Sequence, residues 1–367
     1  MSQPHPLEQV PADEARYIED LRKRLITRMR AEYPKGVMRR DAHPKMHGLV
    51  RAYFIVEPDL PPELRVGVFS EPRRYKAWIR YSNQNGTMQP DSKSDIRGMA
   101  IKLMGVPGKK LLETQEEAGT HDFILISTDV FVVANVREFA GLVKAMMNGT
   151  LAVVRFFLTH WRVAYNLWQS MLKFANPLQI SYFSTTPYLF GDKAVKYAAV
   201  PVTPQIDRLP DNPPDDFLRR VMVRQLSKED VVFDFMVQVQ TDPAQMPIED
   251  PGKLWPESLS PFRKVATIRI PRQSFDSEAQ RDFGENLSFN PWHALPEHRP
   301  LGGINRARKL IYEAISDYRH RKNETQSGEP ENWDIPGIDS AEQMNSRFAW
   351  SNTTSIMSDQ SRREQSS

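Results

Sequence analysis

Leu49-Val50-Arg51-Ala52-Tyr53-Phe54-Ile55-Val56 is rich in β-branched and aromatic residues and reads as a strand. Working outward, the same pattern returns at 77–81, 98–103, 122–127, 194–202, 231–240 and 264–270, with Pro, Gly, Asn and Asp clusters between the runs. Strands spread so evenly through the middle of a chain argue for an antiparallel sheet or barrel. Apolar spacing of three and four marks helices around it. One covers 12–33, where Ile18, Leu21, Leu25 and Met29 share a face behind an acidic first turn; others cover 136–147, 151–174 and 304–320. The expected class is α+β, an antiparallel barrel core with surrounding helices.

The 151–174 segment carries Phe156, Phe157, Trp161, Tyr165, Trp168 and Phe174. Aromatics at helical spacing read first as a core face and second as the wall of a ligand channel. After residue 323 the chain turns polar and rich in Ser, Asn, Gln and Glu. The expected organisation is one domain, 1–323, with 12–33 as a helical arm, followed by a non-catalytic extension, 324–367, without a core of its own.

Composition narrows the chemistry. The 367 residues hold 49 Lys+Arg against 46 Asp+Glu, a balance that does not point to nucleic acid. With no cysteine there is no thiolate zinc, iron–sulfur cluster, cysteine nucleophile or thiolate-ligated haem. No leader-like N-terminus and no apolar run long enough for a membrane span are seen, so a cytoplasmic protein without an integral membrane segment is expected. There is no glycine-rich dinucleotide fingerprint, and NADPH is not expected.

Few residues can carry a reaction. His43 and His47 are four apart, but Pro44 biases His43 toward extended backbone and no glutamate completes a zinc-hydrolase motif. Arg80-Tyr81-Ser82 ends one strand, and Asp95-Ile96-Arg97-Gly98-Met99-Ala100-Ile101-Lys102 begins another. On the last helix Arg308, Tyr312 and Arg319 share a face. Flanking guanidiniums favour a phenolate, a hard anion suited to ferric iron, although a solvated basic face would look the same.

Together these segments resemble the catalase superfamily, most closely its short haem-binding members that lack the long C-terminal regions of full catalases. The family's arginine–distal histidine stretch reads Arg40-Asp41-Ala42-His43-Pro44-Lys45 here, its arginine–aromatic–serine segment Arg80-Tyr81-Ser82, and its Asp-x-Arg-Gly-x-Ala-x-Lys segment is complete from Asp95 to Lys102. The proximal Arg-x-x-x-Tyr with a further arginine seven residues on is matched by Arg308, Tyr312 and Arg319, preceded by Phe289-Asn290-Pro291. The resemblance spans roughly 30–322. It departs where catalases carry Trp-Asp-Leu-Val-Gly-Asn-Asn-Thr-Pro. Ungapped alignment on Asp122 puts Ser127 at the distal asparagine and Asp129 at the proline, and the haem-stacking phenylalanine falls on Phe139. Pro44 and His47 also replace small residues.

The resemblance implies haem b held between the barrel and the C-terminal helix. Tyr312 would be the proximal iron ligand, tyrosine being the known axial ligand of catalase, with Arg308 keeping it ionised. His43 would be the acid–base, with Ser82 orienting it and Ser127 in the weakened donor position. Arg40, Arg80 and Arg319 would hold the haem propionates. The implied activity is peroxidase-like, taking hydrogen peroxide or an organic peroxide and a small organic electron donor, with weak catalase activity, in a homo-oligomer. Transformation of fatty-acid hydroperoxides and a catalytically silent haem- or lipid-binding role are the alternatives.

Overall fold

The computed structural model describes residues 4–203, 207–326 and 328–335. Nine strands form one antiparallel sheet: β1 Met46–Val56, β2 Arg74–Asn83, β3 Arg97–Met104, β4 Thr120–Ile126, β5 Tyr182–Phe183, β6 Tyr188–Phe190, β7 Lys193–Pro201, β8 Val231–Val239 and β9 Arg263–Ile270. Their spatial order is β5-β4-β3-β2-β1-β9-β8-β7-β6. The additional β5–β7 pairing, Tyr182 opposite Ala199, closes eight of them into a barrel and leaves β6 as a hairpin arm on β7. Closure removes the free edges that an open sheet would expose. All seven expected strands are present. β5 and β6, of two and three residues, are too short to show a period.

Alternation along the strands separates two faces. Inward residues meet as an aromatic core. Phe54, Phe69, Phe123 and Phe235 lie within 4.9–6.3 Å of one another, ring centre to ring centre, in the edge, tilted and stacked contacts that rings prefer. Helices α1 (Glu14–Glu32), α2 (Val136–Met147) and α7 (Gly303–Lys322) pack on one another, and their Ile18, Leu21, Val143, Ile304 and Ile311 build a second cluster that Ile126 at the end of β4 joins. Arg306 clamps α7 to the N-terminal arm through Glu8 at 2.6 Å, Glu14 at 2.7 Å and Glu249 at 2.9 Å.

The segment expected as one helix over 151–174 is two, α3 (Thr150–Thr159) and α4 (Trp161–Ser170). The break is His160, whose backbone leaves the helical region (ψ 55°). Its imidazole Nδ1 lies 3.0 Å from the Phe156 carbonyl and its ring stacks on Phe156 at 4.0 Å, which offers α3 a local stop. Nor is this aromatic segment simply core: Phe156 and Phe157 pack inward, while Trp161 and Trp168 are exposed. Two further helices, α5 (Phe217–Leu226) and α6 (Glu278–Asn286), complete the fold.

Residues 328–335, read from composition as part of an extension, pack on the outer barrel wall. Glu329 reaches the fully buried Lys102 at 2.5 Å. Trp333 donates its indole N–H to Ala77 O at 3.0 Å and packs edge-on against Tyr53 at 4.8 Å. Ile335 is buried beside Leu49 and Trp78. A boundary at 323 therefore cuts through packed structure. Residues 336–367 of the expected extension lie outside the described residues.

Candidate active site

The outward face of β2–β4 is a small grid fixed by strand register. Ser82 stands opposite Gly98 and Gly98 opposite Ile126; one row on, Arg80 stands opposite Ala100; the next row brings Trp78, Lys102 and Asp122 together. Residues directly opposite share a face. His43, on the segment entering β1, lays its imidazole over the first row. Its Nδ1 lies 3.0 Å from Ser82 Oγ. A Cβ built on Gly98 would fall 2.6 Å from the ring, so only glycine lets the histidine lie so close to the sheet.

His43 does not adopt the extended backbone expected before proline. Its φ is +61°, in the left-handed region. Such strain costs about 1–3 kcal/mol and persists where the surroundings over-determine it. Here His43 N–H donates to Gln84 O at 3.2 Å, Arg80 donates to His43 O at 2.9 Å, and Ser82 fixes the ring. Burial, then the positive charges of Arg80, Arg308 and Arg40, push the His43 imidazole down to about 3, so it is neutral at physiological pH. When Nδ1–H donates to Ser82 Oγ, Nε2 is left as a base.

His47 belongs to another network. It is 1% exposed, with Nε2 2.6 Å from Asn83 Oδ1 and Nδ1 3.7 Å from Asp91. Lys45 binds Asp91 at 2.7 Å, and Arg97 binds Asn83 and the carbonyls of Asp91 and Lys93. The role of the Asp95–Lys102 segment can now be read physically. Asp95 accepts the Asn85 N–H, Arg97 knits the β2–β3 loop, Gly98 makes room for the imidazole, and Lys102 is a buried cation between Asp122 and Glu329.

On α7, Arg308 donates to Tyr312 Oη at 3.3 Å and to Asn305 Oδ1 at 3.2 Å. Burial would lower the guanidinium's pKa, but Tyr312 and Tyr188 outweigh it and raise it. Phe139 on α2 is partly buried in the same cluster as Ile126, Phe131 and Ile311 and meets Phe131 edge-on at 6.0 Å.

Arg40, Arg80 and Arg319 converge on the end of α6. Arg40 and Arg80 pair with the Glu285 carboxylate at 3.1 and 3.2 Å, and Arg40 and Arg319 also bind carbonyls of 284–287. Two guanidiniums thus share one carboxylate beside a third held on backbone carbonyls, and the buried Nε of Arg80 has no hydrogen-bond partner among the described residues. The crowding lowers all three, through burial first: Arg40 well below its usual range and Arg319 to about 10. An uncompensated charge of two and an orphaned donor fit a ligand with two carboxylates, as haem has. The residues present therefore fit that group, with the Tyr312 oxygen beside Arg308 as a hard donor.

One expected site residue is misplaced. Ser127 Oγ accepts the Arg97 N–H at 2.9 Å, so this hydroxyl caps backbone at the end of β4. The β4 residue on the imidazole's face is Ile126, which the same ungapped alignment sets against the first of the family's two asparagines, Ser127 falling on the second. A one-residue shift along a strand exchanges its two faces, and sequence alone does not locate it.

No family model matches the sequence, and no curated protein matches it. Among solved structures the chain is similar to a fungal catalase at 16% identity and a TM-score of 0.63, over 92% of this chain and 72% of that one. It is similar to catalase A from Saccharomyces cerevisiae at 17% identity and a TM-score of 0.63, over 92% and 74%. A bacterial catalase follows at 16% identity and a TM-score of 0.59, over 87% and 63%. The chain has a catalase-like fold.

Proposed function

We propose that this protein is a haem-dependent oxidoreductase that consumes peroxides and passes the oxidising equivalents to organic donors in preference to dismutating hydrogen peroxide. One observation carries the reading: a neutral, strained, triply restrained histidine whose charge environment includes Arg308, the partner of Tyr312.

Bound haem would supply the redox chemistry that splits an O–O bond. Tyr312 Oη would hold the iron, and Arg308 would keep that oxygen anionic. Arg40, Arg80 and Arg319 would hold the porphyrin carboxylates, with Glu285 yielding or sharing its place. His43 Nε2 would take a proton from one peroxide oxygen and return it to the departing one, which would leave as water or an alcohol. Ser82 holds the imidazole in the tautomer this needs. Phe131, Phe139 and Ile126 keep the surroundings apolar, which strengthens every charge interaction inside.

Ile126 favours organic donors over dismutation. An aliphatic side chain beside His43 offers bound hydrogen peroxide no second donor, and losing one aimed donor typically costs ~10²–10³ in rate. A bulky donor that delivers electrons at the cofactor's edge needs that donor less. The same apolar wall favours a second reading, the transformation of fatty-acid hydroperoxides.

The test is the visible spectrum and haem content of the purified protein, followed by donor oxidation and oxygen release on the same sample. Tyrosinate charge-transfer bands with fast donor oxidation and slow oxygen release are expected. Oxygen release as fast as that of a full-length catalase would refute the preference, and a protein that takes up no haem would refute the whole reading.

A further inference from the structure

The helical pair α3–α4 turns an apolar face outward. Leu151 is 83% exposed, Leu158 79%, Trp161 72% and Trp168 73%, and Tyr165 and Leu172 are about half exposed. These positions recur at three, four and seven residues along each helix, so they form stripes rather than scattered side chains. Single exposed apolar residues are ordinary, whereas a contiguous patch with two bare tryptophans marks an interaction surface.

The pair is firmly seated on its other side. Arg162 pairs with Asp250 at 2.5 Å, Asn166 donates to Gly252 O at 3.2 Å, and Ser170 Oγ lies 3.1 Å from Thr128 Oγ1. Phe156, Phe157, Val163 and Leu167 fill the inner stripe. The exposed face is therefore what remains after docking.

Charge selects the occupant. From Phe139 through Gly191 there is no aspartate or glutamate, in a chain with 46 of them. The same stretch holds Lys144, Arg155, Arg162 and Lys173. Lys144, Arg155 and Lys173 are exposed, and none is in an ion pair among the described residues. A second copy would set these cations against each other with no acid to meet them. An anionic lipid surface meets both needs: headgroups for the cations, and an acyl boundary for leucine, tryptophan and tyrosine, the residues that settle at that depth. No helix among the described residues is long and apolar enough to cross a membrane, so the contact would be from one side.

We propose that α3–α4 docks this protein onto anionic lipid surfaces, burying Leu151, Leu158, Trp161 and Trp168 in the interface. The inference does not depend on the peroxide reading. The experiment is flotation of the full chain with vesicles of pure phosphatidylcholine or of phosphatidylcholine with ~30% phosphatidylserine, with tryptophan emission recorded alongside. Partitioning at least ~10-fold stronger onto the anionic vesicles, weakened by salt, is expected. The combined variant Leu158→Ser, Trp161→Ser, Trp168→Ser should lose ~10-fold or more of that binding. Its melting temperature should be unchanged, because the three side chains already face solvent. Absence of wild-type binding, or binding that the variant retains, overturns the proposal. So does a concentration-dependent wild-type dimer that the variant abolishes, which would assign the face to a second copy.

Discussion

The two sides of the candidate site are built differently. The histidine side is a sheet: His43 is held by Ser82, Arg80 and Gln84 over a glycine, on strands whose other face is the aromatic barrel core. The tyrosine side is one helix, where Tyr312 has a single guanidinium partner and its position depends on how α7 is clamped at Arg306. A rigid wall beside a tunable helix suits the proposed site, in which proton transfer at His43 needs closer placement than the proposed ligand Tyr312 does.

Acid should break the sheet side first and by the most. His47, His121, His293 and His298 are buried in or against the barrel, and burial holds them at about 4, well below the usual value, about 3 and about 3. In the unfolded chain they titrate near 6.5. As pH falls below about 6.5, the unfolded chain therefore takes up protons that the folded chain refuses. Each histidine removes up to about 1.4 kcal/mol of stability per pH unit until its folded value is reached. Urea titrations at ~pH 7, ~6 and ~5 should give steeply falling unfolding free energies. A flat profile would mean these histidines take up protons as readily in the fold as in the unfolded chain.

Substitution separates the two sides. His43→Ala should slow the reaction with peroxide at least ~10²-fold while leaving haem content and spectrum nearly unchanged. Tyr312→Phe should do the reverse, losing haem or its tyrosinate bands. Equal losses of haem in both variants would erase the proposed division. Truncation after Asn323 tests the wall from outside. It strips Glu329 from Lys102 and Trp333 from β2, and should cost about 3 kcal/mol, as partial removal of partners from a buried cation does. An unchanged denaturation midpoint would show that the packed segment is dispensable.

Smaller effects sharpen the comparison. Gly98→Ala places a methyl against the imidazole and should cost roughly 1–3 kcal/mol of stability along with peroxide reactivity. The smallest and most discriminating test pairs Ile126→Asn with Ser127→Asn. The first should raise oxygen release severalfold, and the second should leave it level. The opposite pattern would restore Ser127 to the distal position.

Much of this was legible in the sequence. The seven longer strands declared themselves, and the contacts His43–Ser82 and Arg308–Tyr312 are present in the structure. What was not legible has particular causes. His43 takes a left-handed backbone before proline because three hydrogen bonds outweigh a local preference. Ile126 rather than Ser127 faces the imidazole because the side to which each of two adjacent strand residues points is set by strand pairing, which one sequence does not display. The tail looked coreless because Glu329 and Trp333 pack on the barrel's outer wall rather than on a core of their own. The aromatics of α4 looked buried because helical periodicity shows that a helix has an apolar face, not whether the protein covers it.

The Lys102–Glu329 pair has a consequence for the order of assembly. The partners are 227 residues apart in sequence, and Lys102 sits in the middle of β3 with no exposed surface. A chain emerging during synthesis holds Lys102 and Asp122 long before Glu329 exists. Loop closure over that distance is among the last contacts to form. Until then Lys102, on the outer wall of β3 four residues along from Gly98 beneath the histidine, has one of its two carboxylates, Asp122. The wall that carries His43 is thus completed last, after the rest of the barrel, and a chain stalled before residue 329 would hold all nine strands without that final partner.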